Sequence, residues 1–144
     1  MPVTVDTIDN EGTAWPPQRH IFKALGLWWL FYCDGTNMVY RTSPDGETWS
    51  AATVVRAVDD SSHFSVKHAV YGGVDYVYYA YSSGATDSPL LFCRGQLNSD
   101  GTITWGTEYT VESASSILHY YHPDLCIASD GAIFISASLS LIHI

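Results

Sequence analysis

Basic residues are scarce in this chain: six Lys and Arg stand against fifteen Asp and Glu, for a formal net charge of −9. That is the wrong sign for general attraction to a phosphate backbone, so nucleic acid is not an expected partner. Cysteine is sparse too. Cys33, Cys93 and Cys126 are widely spaced with no Cys-x-x-Cys pair. Neither a zinc framework nor a complete disulfide set is implied, so no metal or other cofactor is expected and the three are read as buried free thiols. Long apolar runs are missing as well. The longest, Ala24 to Cys33, falls far short of the roughly 18 residues that mark a membrane span. The first stretch, MPVTVDTIDNEGT, is acidic where a secretory signal would be basic and then apolar. The chain is therefore read as not exported or as lacking its true start, with an extracellular, cell-surface or virion-surface location expected for a full-length protein.

What the chain has in quantity is apolar and aromatic surface. Hydrophobic residues make up 47% of its 144 residues and charged ones 15%, enough to bury a core within one ordinary domain. The ten Tyr and five Trp fall in short runs rich in β-formers instead of at helical spacing, which points to an all-β fold. Strands are expected at His20 to Leu25, Leu27 to Tyr32, Met38 to Thr42 and Ala52 to Arg56, set off by Gly, Asp, Asn and Pro. A second set runs over Phe64 to Tyr71, Asp75 to Tyr81, Leu90 to Arg94 and Glu108 to Val111, with Gly72-Gly73 as its first tight turn. A third begins at Pro123 to Ala128, turns at Ser129-Asp130-Gly131 and continues over Ala132 to Ala137.

Internal repetition separates a radial architecture from a simple sandwich. Ser43-Pro44-Asp45-Gly46-Glu47-Thr48-Trp49 returns as Ser99-Asp100-Gly101-Thr102-Ile103-Thr104-Trp105, with 56 residues from Trp49 to Trp105. Four strands per period of roughly 50 residues is the pattern of a β-propeller blade. The expected architecture is about two and a half four-stranded antiparallel blades: blade 1 over 19–58, blade 2 over 62–113 and a partial blade 3 over 119–138. Propellers close with about four to eight blades, so the chain is expected to be a fragment whose partners include the remaining blades. Leu139 to Ile144 (LSLIHI) break the pattern and are read as a non-native tail or a short native C-terminus.

In physical terms the repeated segment is a turn device. Asp45 can accept hydrogen bonds from turn N–H groups, Gly46 can take positive φ, Ser43 and Thr48 can tie the two sides, and Trp49 has a large face to bury. Ser43, Asp45, Gly46, Thr48 and Trp49 resemble the Asp-box, or bacterial neuraminidase repeat, of the sialidase-like six-bladed propellers, with one residue fewer between Asp and Gly. Ser99, Asp100, Gly101, Thr104 and Trp105 form a degenerate second copy, lacking the residue between Ser and Asp. The resemblance implies that these boxes brace outer turns between strands 3 and 4, away from the active site. It also implies a substrate-clamping arginine at the start of blade 1. Arg19-His20-Ile21 stands there, without the proline of the family's Arg-Ile-Pro motif, and Asp34-Gly35-Thr36 follows where the family has Glu-Gly-Arg. Arg19 is thus the candidate clamp for a planar carboxylate; its alternative is a surface arginine near a strand. Asp34 and Asp87, in strand 2 to strand 3 loops, are candidates for the family's general acid, with a plain turn role as the alternative. The family's nucleophile, a tyrosine paired with a glutamate, has no assignable match: Tyr120 and Tyr121 stand in a suitable blade, but Glu108 and Glu112 fall on an expected outer strand.

The innermost strand of each blade faces a propeller's channel. Its polar residues here are Arg19, His20 and Lys23, then His63, Lys67 and His68, then His119, His122 and Asp124. They gather both lysines and five of the six histidines, a local positive potential suited to an anionic or polyhydroxyl ligand, with plain hydration of the channel as the alternative. His20, Lys67, His68, His122 and Asp124 are the candidate ligand-binding residues. The expected function is a sialidase-like propeller fragment that acts on or binds carbohydrate, related to glycoside hydrolases but inactive alone, with a glycan or glycoconjugate as partner. Its rivals are a non-catalytic glycan-binding module and a structural or interaction propeller of a phage or microbial surface protein.

Overall fold

The computed structural model of the chain describes residues 4–5, 20–57, 63–83, 88–113 and 118–141. Eleven strands follow in order: β1 (Ile21–Ala24), β2 (Leu27–Cys33), β3 (Asn37–Ser43), β4 (Thr53–Ala57), β5 (Phe64–Tyr71), β6 (Val74–Tyr81), β7 (Leu90–Leu97), β8 (Ile103–Trp105), β9 (Tyr109–Glu112), β10 (Leu118–Ile127) and β11 (Ile133–Leu141). Every pairing is antiparallel. The first sheet has the order β1-β2-β3-β4, the second β5-β6-β7-β8 with β9 also on β7, and the third β10-β11. Innermost strand β5 touches both β1 and β10, so the three sheets succeed one another around a common side.

Two-residue turns launch the first two sheets. Gly72 and Gly73 both take positive φ (61° and 79°) between β5 and β6, and Leu25 with Gly26 does the same (52° and 79°) between β1 and β2. Positive φ at both central residues matches the twist of flanking strands, and Leu25 accepts it without glycine's freedom.

Sheet stacking explains why β6 reads VDYVYYAY with little alternation in polarity. Val77, Tyr79 and Tyr81 belong to a core shared with Trp29, Phe31, Met38 and Tyr40 of the first sheet. Tyr78 and Ala80, on the opposite face, pack with Leu125 of the third. A strand covered on both faces needs apolar residues at odd and even positions alike. Trp29, Phe31 and Phe64 are fully buried, each contributing about 1.5 to 3 kcal/mol of transfer free energy.

The second sheet departs from the simple four-strand expectation. Its outer strand is split in two: β8 pairs with Gly95–Leu97 and β9 with Leu90–Phe92, both along the same edge of β7. Strand β7 consequently runs to Leu97, beyond the expected end at Arg94. Gly95 makes this possible, since a Cβ there would lie 2.5 Å from Ile103 Cγ2 and 2.7 Å from Trp105 Cε3. Strand β11 extends through Leu139–Leu141, which pair with Leu118–Tyr120, so the pattern carries on past the expected break. Of the cysteines, Cys33 and Cys93 are buried as expected but Cys126 is exposed. Its neighbours Leu125 and Ile127 pack toward the second sheet, and alternation turns Cys126 to the opposite face.

Candidate functional site at the start of the inner strands

Each inner strand starts, or bends, at a histidine. The His20 carbonyl, just before β1, accepts the Phe31 N–H at 2.7 Å, and the His63 carbonyl, just before β5, accepts the Ser82 N–H at 3.0 Å. Each histidine is the residue just before its inner strand, its carbonyl tied to the chain of the second strand. His122 lies in β10 at an irregularity of register between Tyr121 and Asp124, with φ of 48° and the fully buried Pro123 after it. A non-glycine residue held at positive φ next to a bulge stores strain, and bulges re-aim side chains near functional sites.

The three rings knit the inner strands together. His20 packs edge-on against Phe64 at 4.6 Å between centroids, while His63 meets His122 at 4.7 Å and Tyr121 at 5.5 Å. Burial pushes the His20 imidazole down to about 4, and neither of its buried ring nitrogens has a hydrogen-bond partner. His63 is also held below the ordinary histidine value, first by burial and then by the charge of His122. Asp124 reaches across from β10 to β5: its Oδ1 accepts the Ser65 hydroxyl at 2.7 Å and the Leu125 N–H at 2.8 Å. Ser82 Oγ donates to the Tyr120 carbonyl at 2.8 Å, a further tie between the second and third sheets.

Asp34 lies at this same end, because β2 runs antiparallel past the start of β1. Its Oδ1 accepts the Thr36 and Asn37 N–H groups at 2.9 and 2.6 Å, the geometry of an aspartate bracing its own turn. Arg19 and Asp87 lie outside the described residues. Lys67 and His68 are not brought to the cluster: they stand four and five residues along β5 from His63, about 14 to 17 Å at the rise of an extended strand. His68 is engaged there, with Nε2 2.7 Å from Asp75 Oδ1 and its ring stacked on Phe22 at 5.3 Å. Among the described residues, no group of three or more His, Cys, Asp and Glu stands close enough to hold a metal ion.

The Asp-Gly turns occupy the opposite end of the sheets. Asp45 Oδ1 accepts the Thr48 and Glu47 N–H groups at 2.7 and 2.8 Å and the Ser43 hydroxyl at 3.0 Å. Those bonds, the Thr48 amide first, hold its carboxyl down to about 2. Asp100 accepts the Thr102 N–H and hydroxyl at 2.9 and 2.6 Å, and Asp130 accepts the Ala132 N–H at 2.9 Å. Gly46, Gly101 and Gly131 all take positive φ (81°, 85° and 88°). The two tryptophans differ: Trp105 is in β8 and packs edge-on against Tyr79 at 5.4 Å, whereas Trp49 follows its turn outside any strand.

Sequence reasoning found no tyrosine–glutamate pair, yet one exists: the Tyr79 hydroxyl donates a short hydrogen bond to Glu108 Oε2. Burial, and then the Glu108 bond, raise the Tyr79 phenol above its ordinary value, the opposite of what activates a nucleophile. The pair joins strand β6 to the segment between β8 and β9.

No known protein family matches the chain, and no curated protein does. Four chains of solved structure match it. One is the GH43 endo-arabinanase from Bacillus licheniformis, with a TM-score of 0.55, 24% sequence identity, and coverage of 94% of this chain and 54% of that one. The fold is a β-propeller. The three sheets are its consecutive blades, two complete and one represented by two strands. The chain thus spans about half the length of that protein, and the comparison carries no sialidase label. Among the described residues no helix is long and apolar enough to cross a membrane.

Proposed function

We propose that this chain is part of a carbohydrate-binding β-propeller whose ligand seats at the end where the inner strands start, with glycoside hydrolysis the activity of the whole protein. The observation that carries this reading is the convergence there of the His63–His122 contact, the strained His122 backbone, buried His20 with two unpartnered nitrogens, and Asp124 bridging two blades. Strain and unsatisfied polar groups concentrated in one place are the usual companions of function. The likeness to a protein described as a GH43 endo-arabinanase supports the carbohydrate class.

A finer reading makes the substrate a sialoside, clamped through its carboxylate by Arg19. A second reading, a glycan-binding or interaction propeller without hydrolysis, draws support from Asp34, whose Oδ1 is taken up by two turn amides.

Calorimetric titration with arabino-oligosaccharides and with sialyllactose tests all of these. Asp124→Asn is expected to weaken glycan binding about tenfold, the worth of a hydrogen bond to a charged group, with little change in melting. Asp45→Ala is expected to lower the melting temperature and leave binding intact. Arg19→Ala should selectively weaken sialyllactose if the substrate is a sialoside, and release of free sugar from either probe would favour a hydrolase over a binding module. Loss of binding in Asp45→Ala with the fold retained would put the site at the wrong end of the blades.

A further inference from the structure

A cavity of about 380 Å³ opens between the first two blades, lined by Val55, Arg56, Tyr79, Cys93, Trp105 and Glu108 among others. Its volume falls within the roughly 300 to 1,000 Å³ of small-ligand sites. Arg56 stacks its guanidinium over Tyr81 at 3.8 Å and approaches Glu108 through Nε at 3.6 Å, but its buried Nη1 has no hydrogen-bond partner. Glu108 Oε2 holds the Tyr79 hydroxyl. With Nη1 itself shut off from solvent, it is the rest of the Arg56 side chain, 21% exposed, and Glu108, 33% exposed, that face outward.

We infer that this cavity binds a single neutral saccharide unit, seated beside Trp105 and held by hydroxyl hydrogen bonds to Arg56 and Glu108. A guanidinium next to a carboxylate suits a partner that accepts from one and donates to the other, and adjacent sugar hydroxyls do both. Because Arg56 and Glu108 stand 3.6 Å apart, their charges largely offset one another and neither an anionic nor a cationic ligand gains net attraction. The indole of Trp105 supplies the apolar surface that the C–H face of a sugar ring covers. The cavity is separate from the inner-strand site, and the inference stands whether or not that site binds glycan.

The test follows the Trp105 indole N–H resonance of the 144-residue chain during titration with D-galactose, D-xylose, D-glucuronate and D-glucosamine. The neutral sugars are expected to shift it saturably, with dissociation constants on the order of 1 to 30 mM for ligands of that size, and to leave the Trp28 and Trp29 resonances in place. Both charged sugars should bind more weakly. Arg56→Met, which keeps the aliphatic stem, should weaken galactose about tenfold. Glu108→Gln, nearly isosteric, should weaken galactose but strengthen glucuronate relative to it, and it decides the matter if Arg56→Met does not fold. A Trp105 resonance unmoved by about 200 mM galactose, equal galactose affinity in wild type and the folded variants, or tighter binding of glucuronate than galactose by the wild type would overturn the inference.

Discussion

His20 shows how one side chain can tie stability to pH. Its imidazole titrates near 6.5 when unfolded and about 4 in the folded chain, because burial disfavours the charged form. The unfolded state therefore binds the proton more tightly. The stability held by neutral His20 is full above about pH 6.5 and is lost as pH falls through 4, a span worth roughly 3 kcal/mol. His20→Phe keeps an aromatic ring against Phe64 and removes that term. Urea denaturation at about pH 7 and about pH 4.5 should show the wild type losing roughly 2 to 3 kcal/mol more than the variant; equal losses would mean that His20 is not buried in its neutral form.

Among the elements, the split outer strand of the second blade depends most on a single residue. Strand β8 can lie across β7 because Gly95 has no side chain where Ile103 and Trp105 come down. A methyl group there must displace them. Gly95→Ala is expected to destabilise the chain by about 1 to 3 kcal/mol, the range for overpacking a filled site, with Trp105 moving out of contact with Tyr79. Chemical denaturation gives the energy and Trp105 fluorescence gives the displacement. Unchanged stability with an unchanged Trp105 signal would show that β8 does not need the close approach. The turn between β1 and β2 has the opposite character. Leu25 holds a positive φ that Gly72 holds without strain in the second blade, so the same hairpin is made from different residues.

At the scale of the whole molecule, the third blade leaves a large aromatic side chain in the open on its outer face, beside Ser136 and Ser138. Phe134 is 61% exposed and pairs across the sheet with Cys126, itself exposed. In the first two blades the corresponding surface is covered by a neighbouring sheet. Exposed apolar patches favour association, so the chain is expected to self-associate in a concentration-dependent way, and Phe134→Ser to lower the sedimentation-derived average mass. A monodisperse monomer at about 100 μM, unaffected by the substitution, would contradict this.

The sequence by itself determined the local layers of this protein. Short aromatic and β-branched runs, punctuated by Gly-Gly and Asp-Gly, placed nearly every strand, because alternation, turn chemistry and blade period are properties of neighbouring residues. Asp45 was legible as a turn brace for the same reason: its partners are within three residues. Tertiary structure decided what depends on distant residues. It separated Lys67 and His68 from the histidines at the inner-strand ends, a matter of position along β5 that residue type does not encode. It paired Asp124 with Ser65 across 59 residues, turned His122 through a positive φ, and brought Arg56, Tyr79 and Glu108 from three separate segments into one cavity. Such contacts arise from how sheets stack, and a stacking arrangement leaves in the sequence only the requirement that both faces be apolar.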